Sequence, residues 1–287
     1  MSIVKVRHAS VAGSWYAGTE TTLKRQLEEE CFLHTLGPRV IPNLNPKGPR
    51  RIVGLLCPHA GYMYSGPVAA HSYGALAEDG TPRTVVVIGP NHTGMGSGVS
   101  IMLEGLWRTP LGETAIDSEI AGRIQKASSY IDIDEKAHAY EHSIELQLPF
   151  LQYILQSRFN FVPICMLLQD LDVAVDVGRA IASALLGVDA VIIASSDMTH
   201  YERQTSAEKK DHAAIDAMSR LNVDELYRVV NSLNISMCGV GPVAAMITAS
   251  KLLAAEKAVL LKYATSGDVT GDKSAVVGYC AMAFSKC

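Results

Sequence analysis

Three stretches of this chain end in the same way. Residues 52–56 form an apolar run stopped by Pro58 and Gly61, with His59 between the two breakers. Residues 84–88 are a β-branched run closed by Gly89 and Pro90, and His92 lies just beyond. Residues 190–194 are again apolar and lead through Ser195 and Ser196 to Asp197 and His200. Imidazole is the commonest metal ligand among side chains, and a strand end holds it rigidly. Past the ends of adjacent parallel strands such groups converge on one crevice. The chemistry this pattern allows is metal binding by His59 and His92. If residues 197–200 turn helically, Asp197 and His200 share a face, and the carboxylate orients the imidazole for proton transfer.

Glu141-His142-Ser143-Ile144-Glu145 is a fourth constellation. Ser143 is expected to cap a helix over 144–156, kinked or restarted at Pro149. Both glutamates then favour the positive end of the helix dipole, which leaves His142 without a structural reason. His138, on the preceding loop, reads as solvated. The third metal ligand stays open by residue type: Asp197, His200, Glu141 or a thiolate. Cys238, in Ser-Met-Cys-Gly ahead of an expected helix, is the thiol for which a helix N-terminus would lower the pKa and favour the thiolate. Cys57 is two residues from His59, but it is expected to face away from it, into the core. Trp15, Tyr16, Tyr62 and Tyr64 are candidates for the mouth of the cleft, or for ordinary half-buried packing.

The elements that must position these groups alternate. A helix is expected from Thr19 or Glu20 to about Leu36, then a proline-rich loop over 37–50. Further helices are expected at 65–77, 117–126, 173–186, 206–220, 223–231 and from about 241. Strands are expected at 99–103, 159–167, 258–264 and 275–284 besides the three above, with a turn at 107–112 and a structural turn at 266–273. Strand–helix alternation implies an α/β protein with helices on both faces of a mostly parallel sheet. The last two strands have no helix of useful length between them, so they should form an antiparallel edge and make the sheet mixed.

The chain has 287 residues, 48% of them hydrophobic and 19% charged, with a formal net charge of −4. Scattered Lys and Arg with a net negative charge argue against nucleic-acid binding. The first residues lack a signal-peptide core, and no run approaches the ~20 apolar residues of a membrane span. Six cysteines at irregular spacing, with no CxxC pair, do not make a disulfide framework, so a reducing, cytoplasmic setting is expected. Without a linker or an internal repeat, one domain over 1–287 is expected.

Seven motifs together carry a resemblance: Ala-Gly-Ser-Trp-Tyr (12–16), Pro-His-Ala-Gly-Tyr (58–62), Gly-Pro-Asn-His (89–92), Glu-His-Ser-Ile-Glu-x-x-Leu-Pro-Phe (141–150), Ser-Ser-Asp-x-x-His (195–200), Cys-Gly (238–239) and Ser-Gly-Asp-Val-x-Gly (266–271). The chain resembles the MEMO family over nearly its whole length. The resemblance implies a three-layer αβα sandwich similar to the class III extradiol non-haem iron dioxygenases. It also implies metal binding at His59, His92 and Cys238, with His142, Asp197 and His200 lining the same cleft. The implied metal is Fe(II) or Cu(I), with Zn a further candidate, and no organic cofactor is expected. Animal relatives are described as signalling and motility mediators that bind iron or copper. Microbial relatives are associated with a radical-SAM protein and an AMMECR-type protein.

In the dioxygenases the third ligand is a carboxylate, whereas here it would be a sulfur, which is softer and itself oxidisable. Three functions follow as expectations. The first is a metal-dependent redox enzyme acting on a small molecule. The second is a non-catalytic module that sequesters metal or binds a partner in the cleft. The third is a Zn-dependent hydrolase with His200 or Glu141 as base.

Overall fold

A computed structural model describes residues 5–156 and 158–287. Residues 1–4, which belong to the start read above for a signal core, lie outside the described residues. In chain order the elements are β1 (Val6–His8), α1 (Glu20–Arg25), β2 (Ile52–Cys57), α2 (Tyr62–Asp79), β3 (Thr84–Pro90), β4 (Val99–Ile101), β5 (Leu106–Thr109), β6 (Gly112–Ala115), α3 (Ser118–Ala127) and β7 (Ile131–Ile133). There follow α4 (Leu148–Leu155), β8 (Asn160–Met166), α5 (Leu171–Leu185), β9 (Ala190–Ser195), β10 (His200–Glu202), α6 (Gln204–Ser219), α7 (Val223–Ser232), α8 (Val240–Leu252), β11 (Lys257–Thr265), α9 (Ser266–Thr270) and β12 (Val276–Ser285).

The large sheet has nine strands in the order β10-β12-β2-β9-β3-β8-β4-β7, with β11 on the other side of β12. Its centre, β2-β9-β3-β8, is parallel, and the pairings of β12 with β2, β10 and β11 are antiparallel. This is the mixed sheet the alternation implied. Every residue of β3 is buried, as a central strand covered on both faces requires. The two faces of β2 show the layers. Cys57 points to α2, against Ser72 and Tyr73, while the missing side chain of Gly54 makes room for Met246 and Ser250 of α8. Among the described residues no helix is long and apolar enough to cross a membrane.

The strand order decides where chemistry can occur. β9 is inserted between β2 and β3, so the connections leaving β2 and β3 emerge on either side of the one leaving β9. That reversal opens a crevice at the carboxyl ends of the strands. Two glycines then let outside segments reach it. A Cβ at Gly89 would collide with Ser143, so only glycine lets the 141–145 segment lie against the end of β3. A Cβ at Gly239 would sit 2.5 Å from the Ser195 carbonyl oxygen, so glycine there brings the Cys238 segment onto the end of β9.

Several expectations need correction. The first helix does not run regularly to Leu36: after Arg25 it widens into a π-helical stretch, Gln26–Phe32. Residues 107–112 are not a turn; Trp107 is a fully buried strand residue, and the actual turn is confined to Pro110 and Leu111 between β5 and β6. These two strands and β1 make a separate three-stranded sheet. Ser143 does not cap a helix over 144–156. A short 3-10 turn, Glu145–Gln147, is followed by α4, and Pro149 sits in its first turn, where its missing N–H costs nothing. Residues 266–270 form a short helix with a Thr265–Asp268 capping box rather than a bare turn.

Candidate metal centre

His59 follows β2 and is almost fully buried. Its backbone N–H donates to Asp197 Oδ1 (2.8 Å), which fixes the loop carrying it to the end of β9. Its Nδ1 is 2.8 Å from Ser195 Oγ. That hydroxyl donates its only proton to the Ser143 carbonyl (2.7 Å) and accepts from Gln147 Nε2 (2.8 Å). Its remaining lone pair can only accept, so Nδ1 of His59 carries the ring proton and Nε2 carries a lone pair. That Nε2 lies 3.2 Å from the Cys238 sulfur.

His92 follows β3 and is held by the buried Glu141. The His92 Nδ1 is 2.9 Å from Glu141 Oε1, and its backbone N–H donates to Oε2. Burial by itself would raise the Glu141 pKa. Hydrogen bonds from His92 and from the Ser143 N–H, with the two rings becoming cationic once the pH is low enough for Glu141 to titrate, outweigh it and bring the group to about 2. An ionised carboxylate only accepts, so His92 is also protonated at Nδ1 and free at Nε2. Glu141 is therefore an anchor for the His92 ring rather than a helix-end charge.

The ligand atoms of His59, His92 and Cys238 all lie within 4.8 Å of one another. Metal–ligand bonds of ~2.0–2.3 Å place neighbouring donors roughly 3–4 Å apart, so the set fits a single ion after a small closure. His92, Glu141 and His142 make a second group within the same limit. His142 stacks on His92 at 4.5 Å between ring centroids, and Trp15 packs against it, tilted, at 4.3 Å. Burial lowers the His142 pKa to about 4, so the ring is neutral at pH 7.

The Cys238 thiol departs from expectation. Two residues ahead of α8, it receives an N–H from Asp197 at 3.2 Å, yet burial and the Asp197 charge push its pKa up rather than down. A bound cation, not the helix end, is what would hold it as thiolate, and loading would release a proton. Gln169 braces the segment, donating to the Cys238 carbonyl and accepting from the Gly241 N–H, both at 2.9 Å.

Asp197 and His200 are not paired as the spacing suggested. The segment between them is not helical, and His200 opens β10, its Nδ1 donating to the Ser236 carbonyl at 2.8 Å. Asp197 serves the His59 loop instead, and burial raises its pKa. A carbonyl can only accept, so His200 too presents a free Nε2. Tyr201, the next residue, is the extra residue of a β-bulge, since His200 pairs with Val277 and Glu202 with Val276. Its φ of 57° costs on the order of 1 kcal/mol for a bulky side chain, and the residue is 78% exposed.

Sequence reasoning missed the supporting groups. Ser195, Gln147 and the Ser236 carbonyl orient two of the rings, and Tyr73 fixes Gln147 by donating to its Oε1 at 2.6 Å. No local pattern marks them, because each acts across the fold. Glu145 is a clamp rather than a helix-end charge. Fully buried, it pairs with Arg7 and accepts from the Ser10 N–H and hydroxyl, the Val11 N–H and the Tyr16 hydroxyl, holding the segment that carries Trp15. Tyr16 and Tyr62 are buried, whereas Trp15 and Tyr64 stay exposed at the cleft. His138, expected in solvent, is fully buried edge-on to Trp107; burial first and Arg7 second lower its pKa to about 4.

Known proteins agree with the fold and with the family resemblance. The description "Memo-like protein" matches residues 7–283. A MEMO1 family protein of Methanopyrus kandleri is 50% identical over 282 residues, covering 98% of this chain and 99% of that one. One from Methanothermobacter thermautotrophicus is 52% identical over 276 residues, covering 96% and 98%. The crystal structure of an uncharacterized Escherichia coli K12 protein shares the fold, with a TM-score of 0.56 at 14% identity over 81% of this chain and 99% of that one. With half of its residues shared end to end with such relatives, the chain belongs to the MEMO family.

Proposed function

We propose that His59, His92 and Cys238 hold one redox-active metal ion, Fe or Cu, and that the centre acts on a small molecule. The observation that carries this reading is the set of tautomers. His59 and His92 are each fixed with the proton on Nδ1, which leaves both Nε2 lone pairs free, that of His59 3.2 Å from the Cys238 sulfur. Oriented imidazoles of this kind are how proteins prepare metal ligands. A thiolate in the set favours Cu(I) or Fe(II) over a hard ion. When bound, the metal would supply one-electron chemistry and a positive charge that polarises a coordinated group.

The chain's own residues supply the rest. His200 offers a free Nε2 as a proton acceptor, its ring held by the Ser236 carbonyl. His142 is kept neutral by burial and is shielded by Trp15, which limits water at that side. Asp197 keeps the His59 loop in place. Metal analysis of protein purified without oxygen should find about one Fe or Cu per chain. A folded His59→Ala/His92→Ala variant should have lost it; unchanged metal content in that variant would overturn the reading.

The soft sulfur also favours a second reading, sequestration of Cu(I) without turnover. Oxygen or peroxide consumption by the loaded protein separates the two, since a store consumes neither.

A further inference from the structure

Beside the centre lies a cavity of about 530 Å³, large enough for a small organic molecule. Its wall begins where the site ends. Ala60 and Gly61 follow His59, Tyr201 follows His200, and Trp15 is the ring that covers His142. Trp15, Tyr64, Tyr201 and Tyr279 supply the aromatic lining, and Asp272 is the single charged group in it; no Lys or Arg takes part. Asp272 Oδ1 accepts from the Ser274 N–H and hydroxyl, while Oδ2 has no partner among the described residues.

These features discriminate among ligands. A phosphate or carboxylate would meet the negative faces of aromatic rings and a carboxylate, with no cation to offset them. A positively charged group meets attraction from both: ring faces bind alkylated ammonium ions, and the carboxylate adds a counter-charge. Tyr201 is a second, independent pointer. The bulge between β10 and β12 holds Tyr201 at a positive φ on the rim of the cavity, largely exposed and so free to meet a ligand.

We propose that this cavity binds an organic cation, an alkylated ammonium group seated on Trp15, Tyr64 and Tyr201 and countered by Asp272, and so makes substrates of the centre cationic. The substrate clause rests on the reading of the centre as a small-molecule metal site; the binding clause does not.

The probes are choline, its uncharged tert-butyl isostere and the matching tert-butyl carboxylate, titrated by calorimetry and Trp15 fluorescence. Protein with metal and protein stripped by chelator are both used. Choline should bind about tenfold more tightly than the neutral isostere, with the carboxylate weakest. Tyr201→Ala and Asp272→Asn should each weaken choline several-fold while keeping their metal and their circular dichroism. Equal binding of the three probes, tighter binding of the carboxylate, or unchanged choline affinity in both variants would overturn the proposal. Metal retained without choline binding sinks this proposal alone. Choline binding to a chain that never takes up metal sinks the metal reading and leaves the cation site standing.

Discussion

Glu141 and Glu145 stand one helical turn apart in the chain, and both side chains are fully shielded from solvent. Glu145 meets a permanent cation, Arg7, and three further donor residues, so its environment is closed and fully satisfied. Glu141 meets an imidazole whose other nitrogen is left open, so its environment is finished only when something binds there. The difference teaches which buried charge belongs to the architecture and which to the chemistry. A structural carboxylate is answered by groups with nothing left to offer, whereas a functional one prepares a neighbour that still has a lone pair.

The contrast breaks most visibly at Glu145. Glu145→Ala leaves Arg7 buried without its partner and should cost about 3–5 kcal/mol in chemical denaturation. The fraction that folds should still bind metal; full stability in this variant would show that the clamp is not structural. At Glu141 the order reverses. Glu141→Gln should weaken metal binding about 10- to 100-fold in a chelator competition, with a much smaller change in the denaturation midpoint of the metal-free protein.

Ser195→Ala sharpens the same point at the other ring. With Nδ1 of His59 released, metal affinity should drop about tenfold, and the ¹⁵N shifts of His59 should report a mixture of tautomers. The mildest test is pH. Burial opposes ionisation of Glu145, but Arg7 and the surrounding donors hold its folded pKa below the ordinary value. Its contribution is therefore complete above about pH 4.3, its unfolded value, and fades as pH falls through the folded one. The wild-type midpoint should decline there with a component that Glu145→Gln lacks.

How much of this could be read beforehand follows from the range of each interaction. The runs 52–56, 84–88 and 190–194 are local patterns, and the structure has β2, β3 and β9 there. The Asp117 cap of α3 is equally local, its side chain accepting from the Ile120 N–H. What the pattern could not contain is the insertion of β9 between β2 and β3, on which the meeting of the rings depends. Trp107 was misplaced into a turn because Thr-Pro-Leu-Gly is a strong turn signal, and only pairing with β6 and β1 shows where the strand stops. His138 looked exposed because it lies in a short polar segment, and nothing near it in the chain mentions Trp107. The spacing of Asp197 and His200 suggested a helical pair; the competing carbonyl came from Ser236 instead.

The Arg7–Glu145 clamp also has a consequence for the ribosome. Its two halves are 138 residues apart, so at roughly 5–20 residues per second the arginine waits on the order of 7 to 28 seconds for its counterpart to be translated. A lone guanidinium will not enter the interior in that interval. The early segment should therefore dock late, with the indole it carries settling over His142 only once Glu145 has been made.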